Sequence, residues 1–180
     1  MKTYSLEVAG LTRELPICPV SNSVDIAAFI MFGDVELTVN CARDLLVRAP
    51  EHDVIITAEA KGIPLAYEMA RQNNENGYLI ARKGVKVYMR NPISVAVKSI
   101  TTAKLQTLYI DENDANQMCD RRVLIVDDVI STGESLSALE ALVNKVGGNV
   151  VGRMAVLAEG DAQKRNDITF LAPLPVFVKN

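Results

Sequence analysis

"RVLIVDDVISTGES", residues Arg122–Ser135, sets four apolar residues, Val123 to Val126, ahead of two adjacent aspartates, Asp127 and Asp128. Val129 and Ile130 follow, and then Ser131, Thr132, Gly133, Glu134 and Ser135. A continuous apolar, β-branched run of this kind predicts a strand buried on both faces, as in a parallel sheet. The next stretch, "ESLSALEALVNKVGG" (Glu134–Gly148), has helical periodicity and closes on the pair Gly147 and Gly148. This is the strongest strand of the chain, leading into its strongest helix.

The same alternation extends outward in both directions. "DVIITA" (Asp53–Ala58) predicts a short strand, and "GIPLAYEMARQN" (Gly62–Asn73) a helix with Pro64 tolerated in its first turn. "GYLIAR" (Gly77–Arg82) predicts a second strand, while "VVGRMAVLA" (Val150–Ala158) and "ITFLAPL" (Ile168–Leu174) predict two late ones. "ISVAVKSI" (Ile93–Ile100) and "KLQTLYI" (Lys104–Ile110) read as a hairpin with a polar tip about Thr101 to Lys104. "DENDANQMCD" (Asp111–Asp120) is a polar connector with room for a helical turn. Apolar runs alternating with helices predict an α/β domain with an open, doubly wound, mainly parallel sheet and helices on both faces.

The N-terminal region is less regular. "NSVDIAAFIMFGD" (Asn22–Asp34) spaces Ile26, Phe29 and Ile30 as a helix would, with Asn22 or Ser23 as a cap. "DVELTVNCARDLLVRA" (Asp34–Ala49) reads as an amphipathic helix capped by Asp34, with Val35, Leu37, Val39, Ala42, Leu45 and Leu46 on its apolar face.

Length and composition narrow the class. The chain has 180 residues, which suits a single domain with its own core. A net charge of -3 argues against a nucleic-acid-binding surface. No apolar run approaches the roughly 18 residues that cross a bilayer, so no membrane partner is expected. Cys18, Cys41 and Cys119 are widely spaced and odd in number, which suggests reduced thiols and a cytoplasmic location. With His52 as the single histidine, a Ser-His-Asp triad and a multi-histidine metal site are both disfavoured.

The chemistry is concentrated at the end of the central strand. In open α/β sheets ligands bind outside the carboxyl ends of the strands. A helix N-terminus there offers unpaired N–H groups and partial positive charge, so the turn Ser131–Ser135 is suited to a phosphate. Gly133 permits close backbone approach, and the Ser131, Thr132 and Ser135 hydroxyls add donors. Asp127 and Asp128 would repel phosphate but suit ribose hydroxyls, or a Mg²⁺ held between sugar and phosphate. A Walker A loop would need a lysine that this turn lacks.

This run closely resembles the phosphoribosyl pyrophosphate (PRPP) signature of the type I phosphoribosyltransferases, with adenine-type members the nearest match. The resemblance extends from about Asp53 to Glu159. It implies that Asp127 and Asp128 contact the ribose hydroxyls, and that Val129, Ile130, Ser131, Thr132, Gly133, Glu134 and Ser135 hold the 5′-phosphate. "TAEAKG" (Thr57–Gly62) resembles the pyrophosphate loop, often strained or cis, which assigns Glu59, Ala60 and Lys61 to the leaving group. "ARKGVK" (Ala81–Lys86) adds Arg82, Lys83 and Lys86. The hairpin tip falls where the family has a lid, with Lys98, Thr101, Thr102 and Lys104 as candidates and Lys104 as the catalytic one. A small hood from about 1–33 plus a C-terminal part would cover a core of about 34–158 within one domain. The family further implies Mg²⁺ bound with PRPP and a homodimer.

The acceptor is the open question. Phe29 or Phe32 occupies the place where adenine-type enzymes stack a phenylalanine on the purine, although no arginine follows either one. Glu159 is placed to read an exocyclic amine. The resemblance implies a purine phosphoribosyltransferase in salvage, with adenine foremost and xanthine, hypoxanthine or orotate as alternatives. A PRPP-sensing regulator without turnover is the competing class.

Overall fold

The computed structural model describes residues 2–98 and 105–179. Its centre is a five-stranded sheet made from β4 (Val54–Ala58), β5 (Leu79–Ala81), β8 (Arg122–Ile130), β9 (Asn149–Glu159) and β10 (Thr169–Leu174). The strand order is β10-β9-β8-β4-β5, and every neighbouring pair is parallel. Every residue of β4 is buried, as are Val123 to Val126 of β8. Period-two alternation divides β8 between two cores. Leu124 and Val126 join α1 (Val35–Leu46) and α2 (Ile63–Gln72) on one face. Val123 and Ile125 join α4 (Glu134–Lys145) and the hairpin β6 (Ile93–Lys98) and β7 (Leu105–Ile110) on the other. The helix α3 (Glu112–Met118) fills the predicted helical turn, capped by Asp111.

Local chemistry explains the helix boundaries. The Asp34 carboxylate accepts the Leu37 N–H at 3.0 Å, which closes the start of α1, and Arg13 holds the same carboxylate at 2.7 Å. The buried face of α1 is Leu37, Thr38, Cys41, Ala42 and Leu45; Val35, expected to be buried, is exposed in the first turn. Helix α4 ends as expected, with the Gly148 N–H bonded to the Val143 carbonyl at 2.9 Å and Gly147 left-handed.

The N-terminal expectation is overturned. Val24–Ala27 is a strand, β3, and Ala28 to Gly33 form no helix. Strand β3 pairs with β2 (Leu11–Pro19) through Ile17↔Ala27 and Cys18↔Ile26, and with β11 (Val176–Val178) through Val176↔Ile26. Pairing on both edges outweighs the local spacing of three apolar residues. Beyond β3, Phe29 and Met31 are buried while Ile30 and Phe32 are more than half exposed, a period of two rather than 3.6. Strands β1 (Thr3–Val8), β2, β3 and β11 form an antiparallel hood sheet. The parallel core reaches Leu174 in β10, beyond the expected limit near 158. Among the described residues, no helix is long and apolar enough to cross a membrane.

Candidate active site

Pairing within the sheet opens the cleft. Between β4 and β8 the registered pairs run from Val54↔Val123 to Ile56↔Ile125, whereas β8 and β9 remain paired from Asp127↔Ala155 to Ile130↔Ala158. Past Ala58 the chain folds over the end of β8 through Glu59–Gly62 into α2, with a cis peptide between Glu59 and Ala60. A methyl group at Gly62 would lie 3.3 Å from the Asp127 Cα and 2.2 Å from Thr57 Oγ1, so only glycine allows this approach. The result is a cavity of about 450 Å³. Its walls bring Asp127, Asp128 and Ser131 together with Lys61, Lys83 and the hood segment Ile26–Ile30.

The acidic pair is withdrawn from solvent although it lies near the end of a strand. Asp128 is 2% exposed, and its Oδ2 lies 2.9 Å from Lys61 Nζ, an ion pair rather than a well-directed hydrogen bond. Asp127 is half-buried, and its Oδ1 accepts the Asp128 backbone N–H at 2.9 Å. Burial, and next the neighbouring Asp128 charge, push the Asp127 carboxyl well above the usual carboxylate range, with Lys61 opposing. The strand keeps its pairing with β9 through Ile130, which draws both carboxylates under the adjoining loop.

Beside them, Gly133 takes φ 79° and Glu134 begins α4. Among the described residues no side chain caps this helix, so its first N–H groups face the turn. A small cavity of about 40 Å³ lies there, bordered by Asp127 and by residues 129–136. Val129 lines the main cavity, whereas Ile130 is a core side chain. The Gln106 side-chain amide donates to Ser135 Oγ at 3.1 Å and ties the hairpin to the turn.

Across the cleft, Glu59 gathers the basic segment that follows β5. Its carboxylate accepts the Lys83 backbone N–H at 3.1 Å, and Arg82 Nη1 and Lys86 Nζ each lie 3.3 Å from Oε1. The Lys83 N–H, followed by Lys86 and Arg82, holds the Glu59 carboxyl below its ordinary range. Glu159, at the end of β9, borders the cavity, and burial pushes its carboxyl up. Phe29 also lines the cavity; Phe32 is exposed outside it.

Of the residues singled out in the sequence, Asp127, Asp128, Ser131, Ser135, Glu59, Ala60, Lys61, Lys83, Phe29 and Glu159 share this cavity. Thr132, Gly133 and Glu134 border the small one. Arg82 and Lys86 reach the site through Glu59 rather than by lining the cavity. Lys98 ends β6, while Thr101, Thr102 and Lys104 lie outside the described residues. No local pattern signals Leu174, which lines the cavity from β10, or Gln106, because both arrive through long-range topology. Among the described residues, no cluster of three or more His, Cys, Asp or Glu side chains could hold a metal ion unaided.

The model of the phosphoribosyl transferase domain family matches residues 38–174. The chain is 30% identical over 169 residues to the adenine phosphoribosyltransferase of Mycobacterium tuberculosis, covering 94% of this chain and 76% of that protein. It is 32% identical over 165 residues to the hypoxanthine/guanine phosphoribosyltransferase of Methanocella arvoryzae, covering 91% and 78%. Among solved structures, adenine phosphoribosyltransferase from Thermoanaerobacter pseudethanolicus superposes with a TM-score of 0.71 at 19% identity, covering 88% of this chain and 93% of that one.

Proposed function

The chain belongs to the phosphoribosyl transferase domain family, and from that premise we propose that it transfers the 5-phosphoribosyl group of PRPP to adenine, giving AMP and pyrophosphate. One observation carries this reading: a single cavity joins the acidic pair and hydroxyl turn of β8 to an apolar hood segment and to Lys61 and Lys83. A sugar phosphate, a flat base and an anionic leaving group match those three walls. Asp127 and Asp128 accept hydrogen bonds from the ribose hydroxyls. The N–H groups at the start of α4, with the Ser131, Thr132 and Ser135 hydroxyls, hold the 5′-phosphate.

In the reaction, a base nitrogen forms a bond to C1 of the ribose while the bond from C1 to the pyrophosphate oxygen breaks. The electron pair leaves with pyrophosphate, and the base loses its proton to solvent. Lys61 and Lys83 face the leaving group, and Glu59 presents Arg82 and Lys86 behind them. Two carboxylates plus substrate phosphates are a ligand set that Mg²⁺ accepts, so Asp127 and Asp128 would suit an ion bound with PRPP, which would supply charge neutralisation at the pyrophosphate.

For the acceptor, Phe29 supplies an apolar face. Glu159, half-buried and unfavourable as a bare charge, is satisfied by an exocyclic N–H₂ such as that of adenine. Exposed Val85, Val87 and Tyr88 beside the basic segment support a homodimer. Three free thiols support a cytoplasmic, salvage setting.

The test is incubation with PRPP, Mg²⁺ and, in turn, adenine, hypoxanthine, guanine, xanthine and orotate, with pyrophosphate release followed. Adenine is expected to give the highest kcat/KM. A 6-oxopurine or orotate winning overturns the acceptor. PRPP binding without turnover on any base replaces the enzyme reading with a sensor.

A further inference from the structure

The stretch Asp127–Ser135 poses a charge problem. It holds three carboxylates, Asp127, Asp128 and Glu134, and no cation, although its turn is the place for a phosphate dianion. The cations of the main cleft stand away from this turn: Lys61 pairs with Asp128, Arg82 and Lys86 pair with Glu59, and Lys83 follows β5, while the small cavity at the turn is bordered by Asp127 and residues 129–136. The N-terminus of α4 contributes only about half an elementary charge.

A further cation reaches the turn from the chain that returns from β9 to β10. Arg165 follows the 3-10 turn Gly160–Lys164. Asp167 grips it at two points, with Nε donating to Oδ1 at 2.9 Å and Nη2 donating to Oδ2 at 2.7 Å. A planar fork held this way has little freedom to turn. The remaining nitrogen, Nη1, faces Gly133, where a methyl group would lie 2.7 Å from it. Gly133 is required by its φ of 79°, and a side chain there would also have to move the guanidinium aside. Arg165 also borders, with Ser131 and Thr132, a cavity of about 480 Å³ that meets the donor cavity at Ser131 and Glu159.

We propose that Arg165 is a positioning residue for the phosphate: its guanidinium, oriented by Asp167, presents behind the Gly133 turn a cationic edge that the signature itself lacks. The inference rests on the phosphoribosyl reading above. The ion pair is neutral as a whole but oriented, with Asp167 on the Nε–Nη2 edge and the free Nη1 at the turn. Its field adds to that of the α4 N-terminus.

Calorimetric titration with ribose 5-phosphate, inorganic phosphate and adenine separates charge from shape. Arg165→Met is expected to weaken both phosphate ligands about tenfold and to leave adenine affinity unchanged. Arg165→Lys should restore most of the loss, and added salt should shrink the difference between wild type and Arg165→Met. Asp167→Asn, which loosens the clamp without touching Arg165, should weaken ribose 5-phosphate in the same direction and serves if Arg165→Met does not fold. Unchanged ribose 5-phosphate affinity in whichever of these variants folds overturns the proposal, as does equal loss in the Met and Lys variants. Wild type binding neither phosphate ligand overturns the phosphoribosyl reading itself, an outcome distinct from a silent Arg165.

Discussion

Lys61 Nζ stands 2.9 Å from Oδ2 of Asp128, so a half-exposed cation neutralises a carboxylate that the sheet buries. A buried carboxylate without its partner is costly, although the exposure of Lys61 tempers that cost. Lys61→Met is expected to lower stability by about 1–3 kcal/mol in urea unfolding and kcat by about a hundredfold. Combining it with Asp128→Asn should recover part of the stability loss, because the second change removes the orphaned charge. Strictly additive losses in the double variant would show that the two side chains are not coupled.

Asp127 sets stability against function. Burial first, and the Asp128 charge second, raise its carboxyl in the folded state above its unfolded value of about 3.9. The folded state therefore binds more protons, and stability falls as pH rises from about 4 through the raised folded value. Asp127→Asn should flatten that decline and melt above wild type at alkaline pH, while losing turnover. Thermal unfolding across the pH range checks this; parallel curves for the two proteins would remove Asp127 as the source of the slope.

The sequence made the strand-turn-helix at Val123–Lys145 readable because a doubly buried strand and an amphipathic helix carry opposite periodicities. The acidic pair and the glycine turn were legible for the same reason: their residue types are unusual where a core strand ends. In Asn22–Asp34, Ile26, Phe29 and Ile30 fit a helical spacing, while the pairing of β3 with β2 and β11 that makes Val24–Ala27 a strand lies outside any local window. Burial of Asp128 was equally invisible, because it depends on where the loop after β4 folds over β8. Arg82 and Lys86 look like free cations in sequence, and only the fold shows Glu59 holding both.

That arrangement makes Glu59 the organiser of the basic segment after β5. Its carboxyl is held low in the fold, by the Lys83 N–H above all, so its contribution is present above the unfolded value of about 4.3 and lost as pH falls. Glu59→Gln keeps the shape but not the ion pairs. In the reverse reaction, KM for pyrophosphate should rise about fivefold, the value of a pair near 1 kcal/mol. The acid limb of the stability profile should become shallower as well. Pyrophosphate kinetics equal to wild type would mean that Arg82 and Lys86 place themselves.

Gly62 is the tightest joint in the site. A Cβ there would meet Thr57 Oγ1 at 2.2 Å and Asp127 Oδ1 at 3.1 Å, so Gly62→Ala must push apart the end of β4, the start of α2 and the acidic pair. Overpacking of this kind costs about 1–3 kcal/mol. Thr57 is fully buried and its hydroxyl makes no hydrogen bond among the described residues, so trimming it sacrifices little polar interaction. Thr57→Ala alone should therefore be mild, and Thr57→Ala with Gly62→Ala should regain much of the stability that Gly62→Ala loses. Activity should return less completely, because the 3.1 Å approach to Asp127 remains. Unfolding curves and turnover of the four proteins test this as a cycle, and a double variant no more stable than Gly62→Ala would place the clash elsewhere.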